Sequence, residues 1–165
     1  MCIRDRLYEE LTEAGKEFNI KPFGLRALMS MRLEKNWGAW TLDYRPDFTA
    51  KETGLDAFIN WDKDFIGKKY AKEDNSVNKL TPMVVETNEI DVTYNEAVLK
   101  DDKAIGYVTS GGFAHFVNKS VAFSYLDTNK LNSGKGIQVE INGDLFNCNL
   151  IKEPLYDPSG SKMRS

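Results

Sequence analysis

The chain has 165 residues, of which 41% are hydrophobic and 28% charged, a composition typical of a globular protein rather than a disordered one. Its formal net charge of -3 argues against a broad phosphate-binding face, so we expect no nucleic-acid partner. No apolar run reaches the roughly 20 residues that cross a bilayer, and we expect no membrane partner either.

The two cysteines give no indication of a disulfide or a metal site. Cys2 and Cys148 lie far apart in the sequence, and neither belongs to a motif with metal-ligand spacing. Free thiols are typical of a reducing compartment, so we expect both side chains to be reduced. The sequence predicts no metal ligands.

Apolar spacing in the first part of the chain predicts two helices. Over 5–19, Leu7, Leu11 and Phe18 recur at intervals that place them on one helical face. A second helix is expected over 22–35, because proline suits a first helical turn and the apolar residues that follow again share a face. Arg32 belongs to the edge of that apolar stripe.

The remainder divides into an aromatic-rich segment and a strand-rich half. We expect a long loop followed by a short strand over 55–62, and then a polar domain linker over 71–79. Beyond the linker, short runs of Val, Ile, Phe and Tyr alternate with turn signals, of which Asp101-Asp102 and Asn142-Gly143 are the clearest. The predicted fold class is therefore α+β, with one domain over 1–71 and a small β-barrel or sandwich over 78–158.

The segment 106–123 contains a glycine pair and a Lys-Ser step, but it does not match a nucleotide-binding loop. A P-loop needs a glycine directly before the lysine, whereas asparagine precedes Lys119, and no G-x-G-x-x-G is present. We expect Gly111 and Gly112 to form a tight connection between two strands that requires positive φ. His115 has no sequence-near partner for catalysis or metal binding. Composition and motifs alone therefore leave the function open.

Several stretches carry a resemblance to a known family. They include "FGLRALMSMRLEK", "WGAWTLDYRPDFTAKETGLDAFINWDKDFIGKK" and "AIGYVTSGGFAHFVNKSVAFSYL". In this order they are similar to the late folate-binding domain and the C-terminal barrel of the glycine-cleavage T-protein (aminomethyltransferase) family. The ending "IKEPLYDPSGSKMRS" resembles the version fused to FAD-dependent dimethylglycine and sarcosine dehydrogenases.

The resemblance implies that the chain is a C-terminal fragment of a tetrahydrofolate-dependent enzyme. In the complete enzyme, FAD in a preceding domain oxidises an N-methyl amine substrate to an iminium, and the one-carbon unit passes to tetrahydrofolate. The catalytic aspartate of the family lies in the segment ahead of this region, so we expect no catalytic residue in the fragment and no activity from it alone. The resemblance implies a bacterial cytoplasm or the mitochondrial matrix, and it gives no oligomeric state.

The resemblance also supplies candidate folate-binding residues. Arg32 is expected to line the folate cavity and pair with a carboxylate of the folate or of the protein, the alternative being a structural ion pair with Glu34 or Glu52. Trp40 stands where T-proteins often have a tyrosine. Glu52 matches a recurrent family glutamate near the cavity, or else it only anchors its loop. A loop at the cavity mouth is expected to comprise Ser110, Gly111, Gly112 and His115.

Three other interpretations stay open. The first is a stand-alone T-protein, which takes its substrate from a lipoyl-carrying partner and has no flavin. The second is the folate-binding group that supports iron–sulfur assembly and tRNA modification, whose "KGCYxGQE"-like motif corresponds to the cysteine-free "DFIGKKY". The third is a non-catalytic folate-binding or interaction module on the same barrel.

Overall fold

The computed structural model describes residues 2–87, 89–131 and 136–164. Within these ranges the helices precede the strands. They are α1 (Ile3–Ala14), α2 (Leu25–Glu34), α3 (Ala50–Thr53) and α4 (Lys68–Lys72), and 3₁₀ turns occupy Lys16–Phe18, Asp56–Phe58, Thr128–Lys130 and Ser161–Met163. In these ranges, no helix combines the length and the apolar composition that crossing a bilayer requires.

Both predicted helices are confirmed, and each is shorter than the sequence suggested. α1 ends at Ala14 because Gly15 forms its C-cap. α2 begins at Leu25 rather than near the proline, because Gly24 has the extended backbone of an N-cap, with φ -84° and ψ 163°. α4 runs to Lys72 and so overlaps the start of the linker expected over 71–79, which itself stays a prediction.

The strand expected over 55–62 is wrong. A 3₁₀ turn forms at Asp56–Phe58, directly after Gly54 ends α3 with a left-handed φ of 74°. A strand also needs a neighbour with a free edge, and the sheet of this protein offers none because it closes on itself.

Six strands of the described residues form a closed antiparallel barrel, which confirms the barrel over the sandwich. They are β1 (Asn78–Val85), β2 (Ala97–Lys100), β3 (Lys103–Ala114), β4 (Lys119–Asp127), β5 (Ile137–Ile141) and β6 (Asp144–Leu150). Their order around the barrel is β1-β4-β3-β2-β5-β6, and β6 pairs with β1 to close it.

The two predicted hairpins are confirmed. Asp101 and Asp102 connect β2 to β3 with φ values of 50° and 58°, and Asn142 and Gly143 connect β5 to β6 with φ values of 53° and 92°. Two successive positive φ values are the geometry of tight hairpin turns, which Asn, Asp and Gly adopt most readily.

The barrel interior forms the main hydrophobic core. Its fully buried members include Met83, Val98, Val108, Leu126 and Ile137. Both cysteines are free, as predicted, and Cys148 lies in this core, where burial raises the pKa of its thiol to about 12.

A second apolar cluster joins α2 to the outside of the barrel. Leu33 packs there with Ala114, Val121 and Phe123, all of them buried. In contrast, no residue of α1 is buried. The contacts of α2, and not those of α1, therefore fix the helical part on the barrel.

The glycine pair does not form a connection between strands. Gly111 and Gly112 lie inside β3 with Ser110, and His115 is the first residue after the strand. Gly111 is required for a different reason: a Cβ at that position would lie 2.7 Å from the carbonyl oxygen of Val92, which crosses over it. Gly112 has a φ of 155° and, like Gly111, belongs to the strand and not to a turn.

The last part of the chain, which we call the C-terminal strap (151–164), returns to the end of α2. The backbone N–H of Tyr156 donates to the carbonyl of Glu34 at 3.0 Å. The ammonium of Lys35 donates to the carbonyl of Asp157 at 2.7 Å and lies 3.3 Å from its carboxylate. The strap therefore binds the C-terminal end of α2 through both backbone and side-chain contacts.

Candidate functional site

A buried carboxylate connects the helical part to the barrel. Asp43 is 0% exposed, and within the described residues its carboxylate accepts four hydrogen bonds. Oδ2 accepts from Arg32 Nη1 and from the backbone N–H of Ala39, both at 2.8 Å. Oδ1 accepts from the hydroxyls of Thr109 at 2.5 Å and Ser110 at 2.7 Å. Four donors saturate a carboxylate, which is how a charge becomes tolerable in an apolar interior.

A bulge in β3 makes this arrangement possible. Neighbouring side chains of a regular strand point to opposite faces, so Thr109 and Ser110 would not normally reach one oxygen. The pairing of β3 with β4 shifts between Val108 and Ser110, which leaves Thr109 as the extra residue. A bulge of this kind redirects side chains, and here both hydroxyls face Asp43.

The backbone of Asp43 is held as well as its side chain. The hydroxyl of Tyr125, from β4, donates to the carbonyl oxygen of Asp43 at 2.7 Å. Burial and the neighbouring carboxylate of Asp43 raise the pKa of Tyr125, so the hydroxyl stays protonated and remains a donor. We call Arg32, Asp43, Thr109, Ser110 and Tyr125 the Asp43 cluster.

Arg32 pairs with a protein carboxylate, but the partner is Asp43 and not Glu34 or Glu52. The pair is not bidentate, because Nη1 alone contacts Asp43 and also donates to the carbonyl of Trp37 at 3.3 Å. Nη2 is buried without a hydrogen-bond partner in the described structure. Burial lowers the pKa of Arg32, and the charge of Asp43 opposes that effect. A direct contact of Arg32 with folate stays a prediction.

Glu34 bonds to two other segments of the chain, through its backbone carbonyl to Tyr156 and through its side chain to Phe116. Its carboxylate accepts from the backbone N–H of Phe116 at 2.7 Å. Glu52 also has a local partner: its carboxylate accepts from the backbone N–H of Thr49 at 2.9 Å, and its own N–H donates to the Thr49 hydroxyl at 3.2 Å. This capping box anchors the start of α3, and a role of Glu52 at a folate cavity stays a prediction.

Trp40 lines a cleft next to the Asp43 cluster. The cleft has a volume of about 540 Å³, and its walls include Trp40, Tyr44, Arg45, Phe48 and Leu55. Trp40 and Tyr44 meet edge to face with ring centroids 6.2 Å apart, and 78% of Trp40 remains exposed. We call this site the Trp40 cleft. An exposed tryptophan on the wall of an aromatic cleft is typical of a binding surface.

The turn that carries Trp40 has an unusual backbone. Thr41 has a φ of 68°, in the left-handed region that β-branched residues rarely adopt. Its N–H donates to the carbonyl of Tyr44 at 3.1 Å, while the N–H groups of Asp43 and Tyr44 both donate to the carbonyl of Ala39. Such strain persists only where the surrounding contacts hold the backbone in place.

Arg45 is the cation of the Trp40 cleft. Its Nη2 donates to the hydroxyl of Tyr107 at 2.6 Å, and its guanidinium lies 5.2 Å from the ring centre of Phe48. Phe48 in turn stacks on Tyr125 with ring centres 3.5 Å apart. Arg45 also lies 3.4 Å from the exposed carboxylate of Asp47. One end of an otherwise mostly apolar cleft therefore carries a guanidinium that is paired with an exposed carboxylate.

The structure brings together some of the predicted residues and not others. Arg32 and Ser110 meet at Asp43, and Trp40 lies in the turn that Asp43 holds. Gly112 lies under Leu33, and the ring of His115 packs against Phe113, so neither is part of the Asp43 cluster. The sequence predicted neither Asp43 nor Arg45, and their only local signal was a charged residue inside an aromatic-rich run.

A second cleft, of about 600 Å³, lies between α3 and α4 and includes Lys51, Trp61, Tyr70 and Asp74. It contains none of the predicted site residues. In the described part of the chain no group of three or more His, Cys, Asp or Glu side chains could hold a metal ion. The Trp40 cleft, with its buried support, is therefore the candidate functional site.

Family models match most of the chain. The glycine cleavage T-protein C-terminal barrel domain matches residues 78–157, and the GCVT N-terminal domain matches residues 3–63. This chain belongs to the glycine cleavage T-protein family. The barrel observed over β1 to β6 is the architecture that the first of these models describes.

Individual T-protein relatives agree with the family models. Mouse mitochondrial dimethylglycine dehydrogenase is 35% identical over 165 residues, covering 96% of this chain and 19% of that protein. The aminomethyltransferase of Acidobacterium capsulatum is 32% identical over 157 residues, covering 92% of this chain and 42% of that protein. The chain thus spans less than half the length of these relatives.

A solved structure shows the same fold. The glycine cleavage system aminomethyltransferase T from Bartonella henselae superimposes with a TM-score of 0.79 at 22% identity, covering 95% of this chain and 44% of that one. The T-protein fold therefore extends through both the helical part and the barrel.

Proposed function

We propose that this chain forms part of the folate site of a tetrahydrofolate-dependent one-carbon enzyme of the dimethylglycine or sarcosine dehydrogenase type. The observation that carries the proposal is the Trp40 cleft, with an aromatic wall and one cation at its end. The 35% identity to a dimethylglycine dehydrogenase supports it. The chain spans only 19% of that relative, so the activity of the whole enzyme is itself proposed.

The residues of the cleft fit the chemistry of a folate. Trp40, Tyr44 and Phe48 offer ring faces and edges to a flat heteroaromatic or benzoyl group. Arg45 offers a planar cation to a carboxylate, in exchange for its exposed partner Asp47. Arg32 fits less well as a direct ligand, because it is buried and already paired with Asp43.

Tetrahydrofolate, when bound, supplies the nitrogen that accepts a one-carbon unit. In this proposal the residues of the cleft bind and orient the folate and exclude water from it, and none of them transfers a proton. The catalytic aspartate and the flavin would be provided by segments outside these 165 residues. The N-methyl amine substrate would be selected at the flavin, and the enzyme would work in a bacterial cytoplasm or in the mitochondrial matrix.

Calorimetric titration with tetrahydrofolate, under anaerobic conditions, tests the proposed site. We expect binding to the 165-residue chain, and about tenfold weaker binding to Trp40→Ala, because roughly 1.4 kcal/mol of stacking corresponds to one decade in Kd. Trp61→Ala is the matched control, since Trp61 lines the other cleft, and its Kd should stay unchanged. Failure of both this chain and the complete gene product to bind would contradict the proposal and favour an interaction module.

An activity assay tests where the catalytic group lies. The purified chain should show no dehydrogenase and no aminomethyltransferase turnover, whether or not it binds folate. Turnover by the chain alone would contradict the proposed division of roles.

A stand-alone aminomethyltransferase is the second candidate function, because the Acidobacterium enzyme of that name is 32% identical over 157 residues. The two candidates differ in what precedes this region of the gene. An in-frame FAD-binding domain with a G-x-G-x-x-G motif would favour the dehydrogenase, and its absence from the complete gene would favour the transferase.

A further inference from the structure

Asp43 holds together segments that are far apart in the sequence. Its carboxylate binds Arg32 of α2, the N–H of Ala39 in the turn, and two hydroxyls of β3. Its carbonyl binds Tyr125 of β4. Asp43 is the one residue of the Asp43 cluster that belongs to the turn that carries Trp40, so its carboxylate links that turn directly to the barrel, next to the bond from Arg45 to Tyr107.

The arrangement costs free energy that packing alone does not require. A fully buried carboxylate is expensive even when it is paired, and an apolar side chain of similar volume often stabilises such a position as well or better. Thr41, two residues before Asp43, has the left-handed φ of 68°. Strained backbone next to a saturated buried charge is typical of a site whose geometry is fixed in advance.

We propose that Asp43 is a positioning residue that holds the strained turn 39–44 on the bulge of β3 and so presents Trp40 to the folate. This inference rests on the proposed function, because folate is the expected occupant of the Trp40 cleft. Asp43 touches no ligand in this scheme. It acts through Ala39 and Arg32, both of which bond to Oδ2.

Asp43→Asn removes the charge and keeps the shape. The amide oxygen can still accept from Ala39 and Arg32, while the amide nitrogen can donate to the two hydroxyls of β3. Asp157→Asn is the matched control, because it also removes a carboxylate paired with a cation at the end of α2, on the C-terminal strap and away from the cleft. Both variants lose one ion pair to the helical part.

The affinity for tetrahydrofolate, measured by calorimetry at a temperature where circular dichroism shows each variant folded, is the first readout. We expect about tenfold weaker binding for Asp43→Asn, because a neutral amide holds Arg32 and the turn less tightly than a carboxylate, and a looser turn must be ordered on binding. The control should stay within about twofold of the unaltered chain, because it leaves the backbone contacts of the strap with Glu34 and Lys35 in place. A lowered Tm with an unchanged Kd for Asp43→Asn would show a merely structural role and overturn the proposal.

Ser110→Ala keeps the test decisive if Asp43→Asn does not fold. It removes one donor to Oδ1 from the barrel side and leaves the charge pair with Arg32 intact. We expect about threefold weaker binding, in proportion to the loss of one charge-assisted hydrogen bond out of several. An unchanged Kd for this variant would likewise overturn the proposal.

A ligand-free readout separates this inference from the proposed function. In a Trp37→Phe/Trp61→Phe background, Trp40 is the single tryptophan, since the chain has 3. Asp43→Asn should change the acrylamide quenching of Trp40, whereas Asp157→Asn should not. If tetrahydrofolate binds neither the unaltered chain nor the complete gene product, the proposed function fails. The quenching still decides the role of Asp43, because equal quenching in both variants would overturn it.

Discussion

At the scale of single residues, the candidate site depends on charge and backbone geometry that the sequence does not display. Arg32 and Trp40 were named as candidates because the resemblance links their positions to the folate cavity, and it links no such role to Asp43, which lies in the same stretch as Trp40. Asp43 could not, because its importance comes from donors at Arg32, Ala39, Thr109 and Ser110, which meet only in the folded chain. The predicted ion-pair partners Glu34 and Glu52 instead accept backbone hydrogen bonds from Phe116 and Thr49.

Thr41→Gly should stabilise the folded chain. A left-handed backbone costs a non-glycine residue about 1–2 kcal/mol, and the added flexibility of glycine in the unfolded chain offsets part of that gain. We expect the free energy of unfolding, measured with urea, to rise by about 0.5–1 kcal/mol.

Thr81→Gly is the control for this substitution, because Thr81 lies in β1 and has the ordinary backbone of a strand. It should destabilise the chain, since glycine weakens strand interiors. A loss of stability in Thr41→Gly equal to that in Thr81→Gly would show that the turn is not strained.

At the scale of elements, short-range sequence patterns predicted the helices and hairpins whose geometry depends on neighbouring residues. Apolar spacing gave α1 and α2, and the pair Asn142-Gly143 gave the β5–β6 hairpin, because a tight turn with two positive φ values selects those residues. The predicted strand over 55–62 was wrong, because apolar alternation produces a strand only where a sheet edge is available for pairing. The prediction that the glycine pair connects two strands was wrong, because Gly111 lies inside β3 and makes room for Val92, a residue distant in sequence.

Gly111→Ala tests that close approach. The added Cβ would lie 2.7 Å from both the carbonyl oxygen and a side-chain methyl of Val92, so the crossing segment or β3 must shift. We expect the free energy of unfolding to fall by about 1–3 kcal/mol.

Gly24→Ala serves as the control in the same denaturation experiment. No atom lies within 4 Å of the position that its Cβ would take, and its φ is -84°, which any residue adopts. Its effect should stay within about 0.5 kcal/mol. If Gly111→Ala were equally mild, β3 would tolerate a side chain beneath Val92 and the glycine would need another explanation.

At the scale of the whole molecule, apolar surface is distributed unevenly. The barrel buries most of its apolar residues, whereas α1 leaves Leu7 56% and Leu11 58% exposed, and Phe18 and Leu25 are exposed as well. Contiguous apolar surface of this kind promotes self-association. The helical spacing of the sequence predicted the apolar face of α1 correctly, but no residue of that face is buried in the described structure.

The isolated chain should therefore bind a hydrophobic dye and aggregate. We expect Leu7→Glu/Leu11→Glu to reduce both the fluorescence of bound anilinonaphthalene sulfonate and light scattering, with little change in Tm, because neither leucine belongs to the core. Leu145→Glu is the control, since Leu145 in β6 is 47% exposed and lies apart from α1. Sharp, monomeric, dye-free unfolding of the unaltered chain would contradict this prediction.

The C-terminal strap has a consequence for how this protein can be cut or extended. Tyr156 and Asp157 fasten the end of α2, the helix that also carries Arg32. A clone shortened to the last strand would lose these contacts with the end of α2 without losing any cleft residue, while Leu33 would still pack α2 against the barrel. An affinity tag belongs after residue 164, where it leaves this fastening intact.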